Sequence, residues 1–158
     1  MLVDTLCRLF NDTFETHHTR LCGGFNEPFY CAGPPHEIRF TADYPRSALH
    51  EVAHWCIAGP DRRLLDDYGY WYAADGRNAV QQAAFQTVEV RPQALEALFC
   101  QAVNLVFEPS LDNLQGQVEH SLSFAQAIDR QRDDWLASPE SMPPRGRIFW
   151  HRLSSHFQ

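Results

Sequence analysis

The chain has 158 residues, 44% of them hydrophobic and 13% aromatic, which suits one domain with its own core and excludes a disordered composition. Its formal net charge of −7 argues against a nucleic-acid binder, which needs a basic face, and sits better with a cationic substrate group. No apolar run approaches the ~20 residues of a membrane span and no basic-then-apolar leader opens the sequence, so neither a membrane partner nor export is expected.

Leu2, Leu6, Leu9, Phe10 and Phe14 recur at helical spacing and predict an opening amphipathic helix over residues 2–14. The Gly- and Pro-rich stretch 19–35 reads as loop or short hairpin, with Phe29-Tyr30-Cys31 as a possible strand. Residues 37–41 alternate polar and apolar side chains, as a half-buried strand does. A strong helix follows, with Asp43 as its cap, Pro45 near its first turn and Gly59-Pro60 as its stop. Residues 61–77 read as connection, carrying the run Tyr68-Gly69-Tyr70-Trp71-Tyr72 and the turn Asp75-Gly76. A helix is predicted from Asn78 to about Val90, and Pro92 either kinks it or opens the next segment, which runs to Phe107. After a turn region at 109–116, a last helix from Gln117 to Leu136 offers Val118, Leu122, Ala125, Ile128 and Trp135 to the core. Residues 138–158 read as a Pro-rich tail, leaving a core at 28–137 within one domain spanning 1–158.

The five cysteines, Cys7, Cys22, Cys31, Cys56 and Cys100, form no C-x-x-C pair, and their odd number does not suit a disulfide framework. Three of them lie in apolar helical patterns as small hydrophobes, which points to a reducing, cytoplasmic setting. The expected fold is α+β and mostly helical. In it a small sheet lies beside a zincin-like His-Glu-x-x-His helix, and a second helix supplies a carboxylate; a monomer is expected.

The chemistry gathers at His50-Glu51-Val52-Ala53-His54. Residues four apart share a helix face, so His50 and His54 can offer two imidazoles to one ion. Glu51 lies about 100° around the helix, able to touch a metal-bound water without being a ligand. A buried helix that merely contains two histidines is the alternative, but burying two imidazoles and a carboxylate without a shared partner is costly. The extended metzincin pattern fails, because Ile57 and Pro60 stand in its glycine and histidine slots. The third ligand is then an acid from a later helix, Glu89 or Glu96, which share one face and which spacing does not separate. Asp66, Asp67 and Asp75 are weaker candidates in polar connecting segments.

Two imidazoles and one carboxylate serve two chemistries. With zinc they activate water for peptide hydrolysis, Glu51 acting as general base; with ferrous iron they leave positions open for O2 and substrate. The His-x-Asp or His-x-Glu strand motif of jelly-roll oxygenases is absent from the sequence. A di-iron site from paired Glu-x-x-His motifs would need Glu15-Thr16-His17-His18 beside Glu51-Val52-Ala53-His54. An adaptor with a structural metal ranks lower, since closed structural sites usually take four protein ligands.

Ser47 through Gly59 closely resembles the bacterial elongation factor P hydroxylase family, as do Asp67 through Tyr72, Asp75-Gly76-Arg77, Val88 through Leu95 and Asp112-Asn113-Leu114. The resemblance spans roughly residues 28–115, and linked motifs in order are more specific than His-Glu-x-x-His alone. It implies hydroxylation of the elongation factor P lysine that already carries a β-lysyl group. It further implies a two-His, one-carboxylate iron site with the carboxylate in Val88-Glu89-Val90, hence His50, His54 and Glu89, and it places Arg91 at a basic position. Glu51 is then a catalytic residue of undecided role. Tyr70, Trp71 and Tyr72 can wall a channel for the lysine stem or meet its ammonium by cation–π contact, and Asp66, Asp67 or Asp75 can pair with its amines or shape the turn. The standing alternative is a small zinc peptidase.

Overall fold

The computed structural model describes residues 1–70, 78–110 and 118–158. Among these, α1 (Leu2–Thr13) is followed by β1 (Thr19–Phe25), β2 (Phe29–Cys31) and β3 (His36–Thr41). Then come α2 (Pro45–Ala58), α3 (Ala79–Ala102), α4 (Val118–Ala137) and α5 (Pro144–Phe157), with short 3-10 turns between several of them. The architecture is α+β and predominantly helical, and none of the described helices is long and apolar enough to cross a membrane.

β3 is the central strand, parallel to β1 and antiparallel to β2. The register lines up Leu21, Ile38 and Tyr30 across one face, and all three are buried. That face packs on α1 and α2, while Arg39 and Glu37 pair at 2.8 Å on the other. β1 is the strand that the Gly-rich composition concealed. Its Gly23 is required by close approach, since a Cβ there would stand 2.5 Å from the Phe40 ring.

The core is aromatic. Phe10, Phe14, Trp55, Phe99 and Phe149 meet in tilted or edge-on pairs, for example Phe14–Trp55 at 4.9 Å and Phe99–Phe149 at 5.2 Å between ring centroids. Phe149 and Leu153 are fully buried, so the segment expected to be a tail is instead a core helix, α5. Its prolines mislead because Pro144 sits in the first turn, where a missing N–H costs nothing. Gly146 lets α5 approach α3, as a Cβ there would come within 2.8 Å of the Leu95 side chain.

Three further expectations are corrected. Asp43 does not cap α2: the chain leaves β3 through a turn at Ala42 (φ 45°), Tyr44 becomes the cap position, and no side chain caps it. Ser47 Oγ instead accepts the Thr41 amide at 3.0 Å, joining β3 to the first turn of α2. On α4, Leu122 is 59% exposed, and Phe124 joins Ile128 and Trp135 in the core. Pro92 opens no new segment but lies within one 24-residue helix, depriving only the Val88 carbonyl of its usual partner.

α3 starts on a capping box in which Asn78 and Gln81 exchange side-chain and backbone hydrogen bonds. At the other end of α2, the Arg63 guanidinium donates to the carbonyls of Trp55 and Cys56 at 2.7 and 3.0 Å, closing the helix that carries both histidines.

Candidate metal centre

α2 and α3 pack directly on one another, and the polar groups between them form the site. His50 pairs with Glu96 and His54 with Glu89, so the two helices run in opposite senses across it. His50, His54 and Glu89 each offer one ligand atom within 4.8 Å of the others, and they are the group among the described residues that can hold a metal ion. The Nε2 atoms of His50 and His54 stand 3.1 Å apart, and Glu89 Oε1 stands 3.1 Å from His54 Nε2.

These separations fit an ion. Donors sharing one metal at about 2.0–2.2 Å stand roughly 3–3.5 Å apart at cis or tetrahedral angles. Two imidazole nitrogens at 3.1 Å would bring lone pairs together unless a proton or cation lies between them. The residues fit a mononuclear divalent site.

Around the three donors lies an orienting layer. Glu96 Oε1 accepts from His50 Nδ1 at 2.6 Å, which leaves the His50 Nε2 lone pair facing His54 and Glu89. Gln93 Nε2 donates to Glu89 Oε2 at 3.1 Å and to the Ser110 carbonyl at 2.8 Å, while its Oε1 accepts the Ser110 amide at 2.9 Å. Gln93 therefore ties the carboxylate of Glu89 to the chain beyond α3. Glu89, Gln93 and Glu96 are the buried polar stripe of α3. Sequence spacing left Glu89 and Glu96 as rivals for one role; the structure gives them different places, Glu89 among the donors and Glu96 behind His50.

The electrostatics follow the geometry. Burial alone would lower the His50 imidazole, but the Glu96 hydrogen bond and the charges of Glu96, Glu51 and Glu89 outweigh it and push it up to about 10. Burial would raise Glu89, yet His54, His50 and the Gln93 hydrogen bond hold it down to about 2. Glu51 is raised, chiefly by burial, with His50 and His54 opposing.

A cavity of about 230 Å3 reaches two of the three donors, His54 and Glu89, and is lined besides by Glu51, Asp67, Tyr68, Tyr70 and Phe85. Asp67 Oδ1 accepts the Tyr30 amide at 3.0 Å and Asp66 Oδ1 the Ala32 amide at 2.8 Å, so both acids fasten their turn to β2. The Arg62 guanidinium lies 4.1 Å over the Tyr70 ring, so one face of that ring already carries an internal cation. Trp71, Tyr72, Asp75 and the Asp112-Asn113-Leu114 motif lie outside the described residues. Arg91 is not among the residues lining the cavity and lies 5.7 Å over the Trp135 ring. The second Glu-x-x-His motif does not reach the site: His17 packs edge-on to Phe14 and Trp55, and Glu15 and His18 line a separate open groove. Tyr68, whose buried hydroxyl faces no partner among the described residues, escaped sequence reasoning. An aromatic in a mixed run carries no signal for an unmet hydrogen bond.

The sequence profile of the elongation factor P hydroxylase family matches residues 9–158, from the middle of α1 to the end of α5. A relative from Haemophilus influenzae, named elongation factor P lysine hydroxylase, is 41% identical over 134 residues, covering 82% of this chain and 75% of its own. The profile extends the resemblance seen over the central motifs to the C-terminal helix that completes the core. The chain belongs to the elongation factor P hydroxylase family.

Proposed function

We propose that this protein is an iron-dependent hydroxylase of translation elongation factor P, acting on the lysine that already carries a β-lysyl group. The observation that carries the reading is a His50, His54 and Glu89 donor set, two members of which line a cavity, in a chain of this family. The name of the Haemophilus relative supports the substrate. In this reading His50 and His54 hold the ion through Nε2 and Glu89 through Oε1, while Glu96 and Gln93 orient them.

Oxygen insertion into an unactivated C–H bond lies beyond side-chain chemistry, and the bound iron supplies the redox chemistry with O2. One oxygen atom enters the C–H bond and the other leaves as water, with two electrons and two protons drawn from an external reductant. The chain's own residues shape the encounter. Glu51 faces the cavity as its acid–base group, Phe85 and Tyr70 give the lysine methylenes an apolar wall, and Trp71, Tyr72 and Asp75 serve in substrate binding. The protein works as a cytoplasmic monomer on a protein substrate and needs neither nucleic acid nor membrane.

Mass spectrometry of β-lysylated elongation factor P incubated with the protein, ferrous iron, reductant and O2 tests the reading. The expected result is a gain of one oxygen on the modified lysine, lost by at least about 100-fold in His54→Ala and Glu89→Ala. Peptide cleavage that tracks added zinc and requires Glu51 would overturn it in favour of a peptidase.

A further inference from the structure

Tyr68 is held with unusual firmness for a residue in a connecting segment. Asp67 and Tyr68 both adopt left-handed backbone (φ 48° and 60°), and Gly69 continues at 73°. Such a run costs non-glycine residues energy and persists only where the surroundings over-determine it. They do so here. Asp66 and Asp67 are fastened to β2, Arg62 donates to the Tyr68 carbonyl at 3.0 Å, and the Tyr68 ring stacks on Tyr30 with centroids 4.3 Å apart.

The product of this arrangement is a phenol that is 5% exposed, lines the cavity beside the metal donors, and has a hydroxyl without a hydrogen-bond partner among the described residues. Buried hydroxyls are normally satisfied, and an unmet one beside a cavity is satisfied by what enters. The other polar groups lining the cavity narrow what that is. His54 and Glu89 are engaged with each other, and Asp67 holds the Tyr30 amide. The Tyr70 ring lies under the Arg62 guanidinium, and the Glu51 carboxyl and the Tyr68 hydroxyl, which line the same cavity, remain to meet a ligand.

We infer that Tyr68 is a substrate-reading residue, its hydroxyl donating to the carbonyl of the amide that joins the β-lysyl group to the target lysine, with Glu51 accepting the N–H of the same amide. The inference rests on the proposed substrate. An unmodified lysine ends in an ammonium, which needs only acceptors. The modified lysine replaces it with an amide, which needs one donor and one acceptor, and Tyr68 and Glu51 supply that pair. A site built to hydrogen-bond a group discriminates against ligands lacking it, because its own polar atom is then buried without a partner.

The test uses the metal-loaded protein and three lysine peptides: free, ε-N-acylated with an aminoacyl group, and ε-N-alkylated with the same chain lacking the carbonyl. Binding is measured without O2, and KM and kcat on β-lysylated elongation factor P in parallel. The wild-type protein is expected to bind the acylated peptide more tightly than the alkylated one. Tyr68→Phe is expected to lose roughly three- to tenfold of that preference, with KM raised by a similar factor, and to keep its metal affinity and melting temperature. Equal wild-type affinity for the acylated and alkylated peptides, or an undiminished preference in Tyr68→Phe, overturns the inference and leaves the hydroxylase reading standing. Failure of the wild-type protein to oxidise the modified factor removes that reading, and this inference with it.

Discussion

A carboxylate at Glu96 stabilises a dication on the far side of the His50 ring more than it stabilises one proton there, because the interaction scales with the charge. Replacing it by Glu96→Gln keeps the shape and a hydrogen-bond acceptor but removes that charge. The variant is expected to bind metal about 10- to 100-fold more weakly by competition with a chelator. The same carboxylate keeps His50 protonated in the metal-free protein, up to about 10, so loading at pH 7.5 should release about one proton. Calorimetry in buffers of different ionisation enthalpy should detect that proton in the wild type, and less of it in Glu96→Gln. For the metal-free fold the signs are opposite at the two groups. The His50 contribution is fully present below its ordinary 6.5 and fades as the pH rises toward about 10. That of Glu89 is present above its ordinary 4.5 and fades as the pH falls toward about 2. At this scale the sequence was legible where spacing carries meaning: His50 and His54 at one-turn separation had to share a face. It was silent on which acid faces the cavity, because Glu89 and Glu96 occupy the same stripe and differ only in where α2 crosses them.

Among the elements, α5 is the one whose nature the sequence hid and whose loss should matter most. Its Phe149 is fully buried against Phe10, Phe14 and Phe99. Phe149→Ala is expected to lower stability by about 3–5 kcal/mol in denaturant titration, while a true tail residue would change it by less than about 0.5 kcal/mol. α1 was legible because burial on one face imposes the 3.6-residue repeat, and α2 because Pro45 and Gly59-Pro60 mark its ends. β1 was not, since its pairing with β3 is a long-range decision and its Gly23 reads locally as loop. On α4 the apolar stripe competes with exposed Leu122, and only packing against α3 decides that Phe124 is the inward residue.

For the molecule as a whole, a small sheet and α1 form a wall on which α2 rests, α3 and α5 pack on its other sides, and α4 packs on α3. Among the described residues the donors come from α2 and α3, and in sequence they are separated by the connection that includes 61–77. An ion held by His50, His54 and Glu89 is therefore a cross-link between two chain-distant helices, comparable in topology to a disulfide but reversible and set by metal concentration. At a free metal concentration 100-fold above the dissociation constant it adds about 2.7 kcal/mol, which for this chain length is a rise of roughly 5–10 °C in melting temperature. His54→Ala should abolish that rise. Hydrogen exchange should locate it: amides of α2 and α3 that exchange by parting of the two helices slow together when metal is added, while those that exchange by local fraying at helix ends do not. Uniform slowing through the sheet would show instead that the helices never part short of global unfolding. An ion bound between α2 and α3 would thus govern how often the two halves of the site come apart, as well as what chemistry they support.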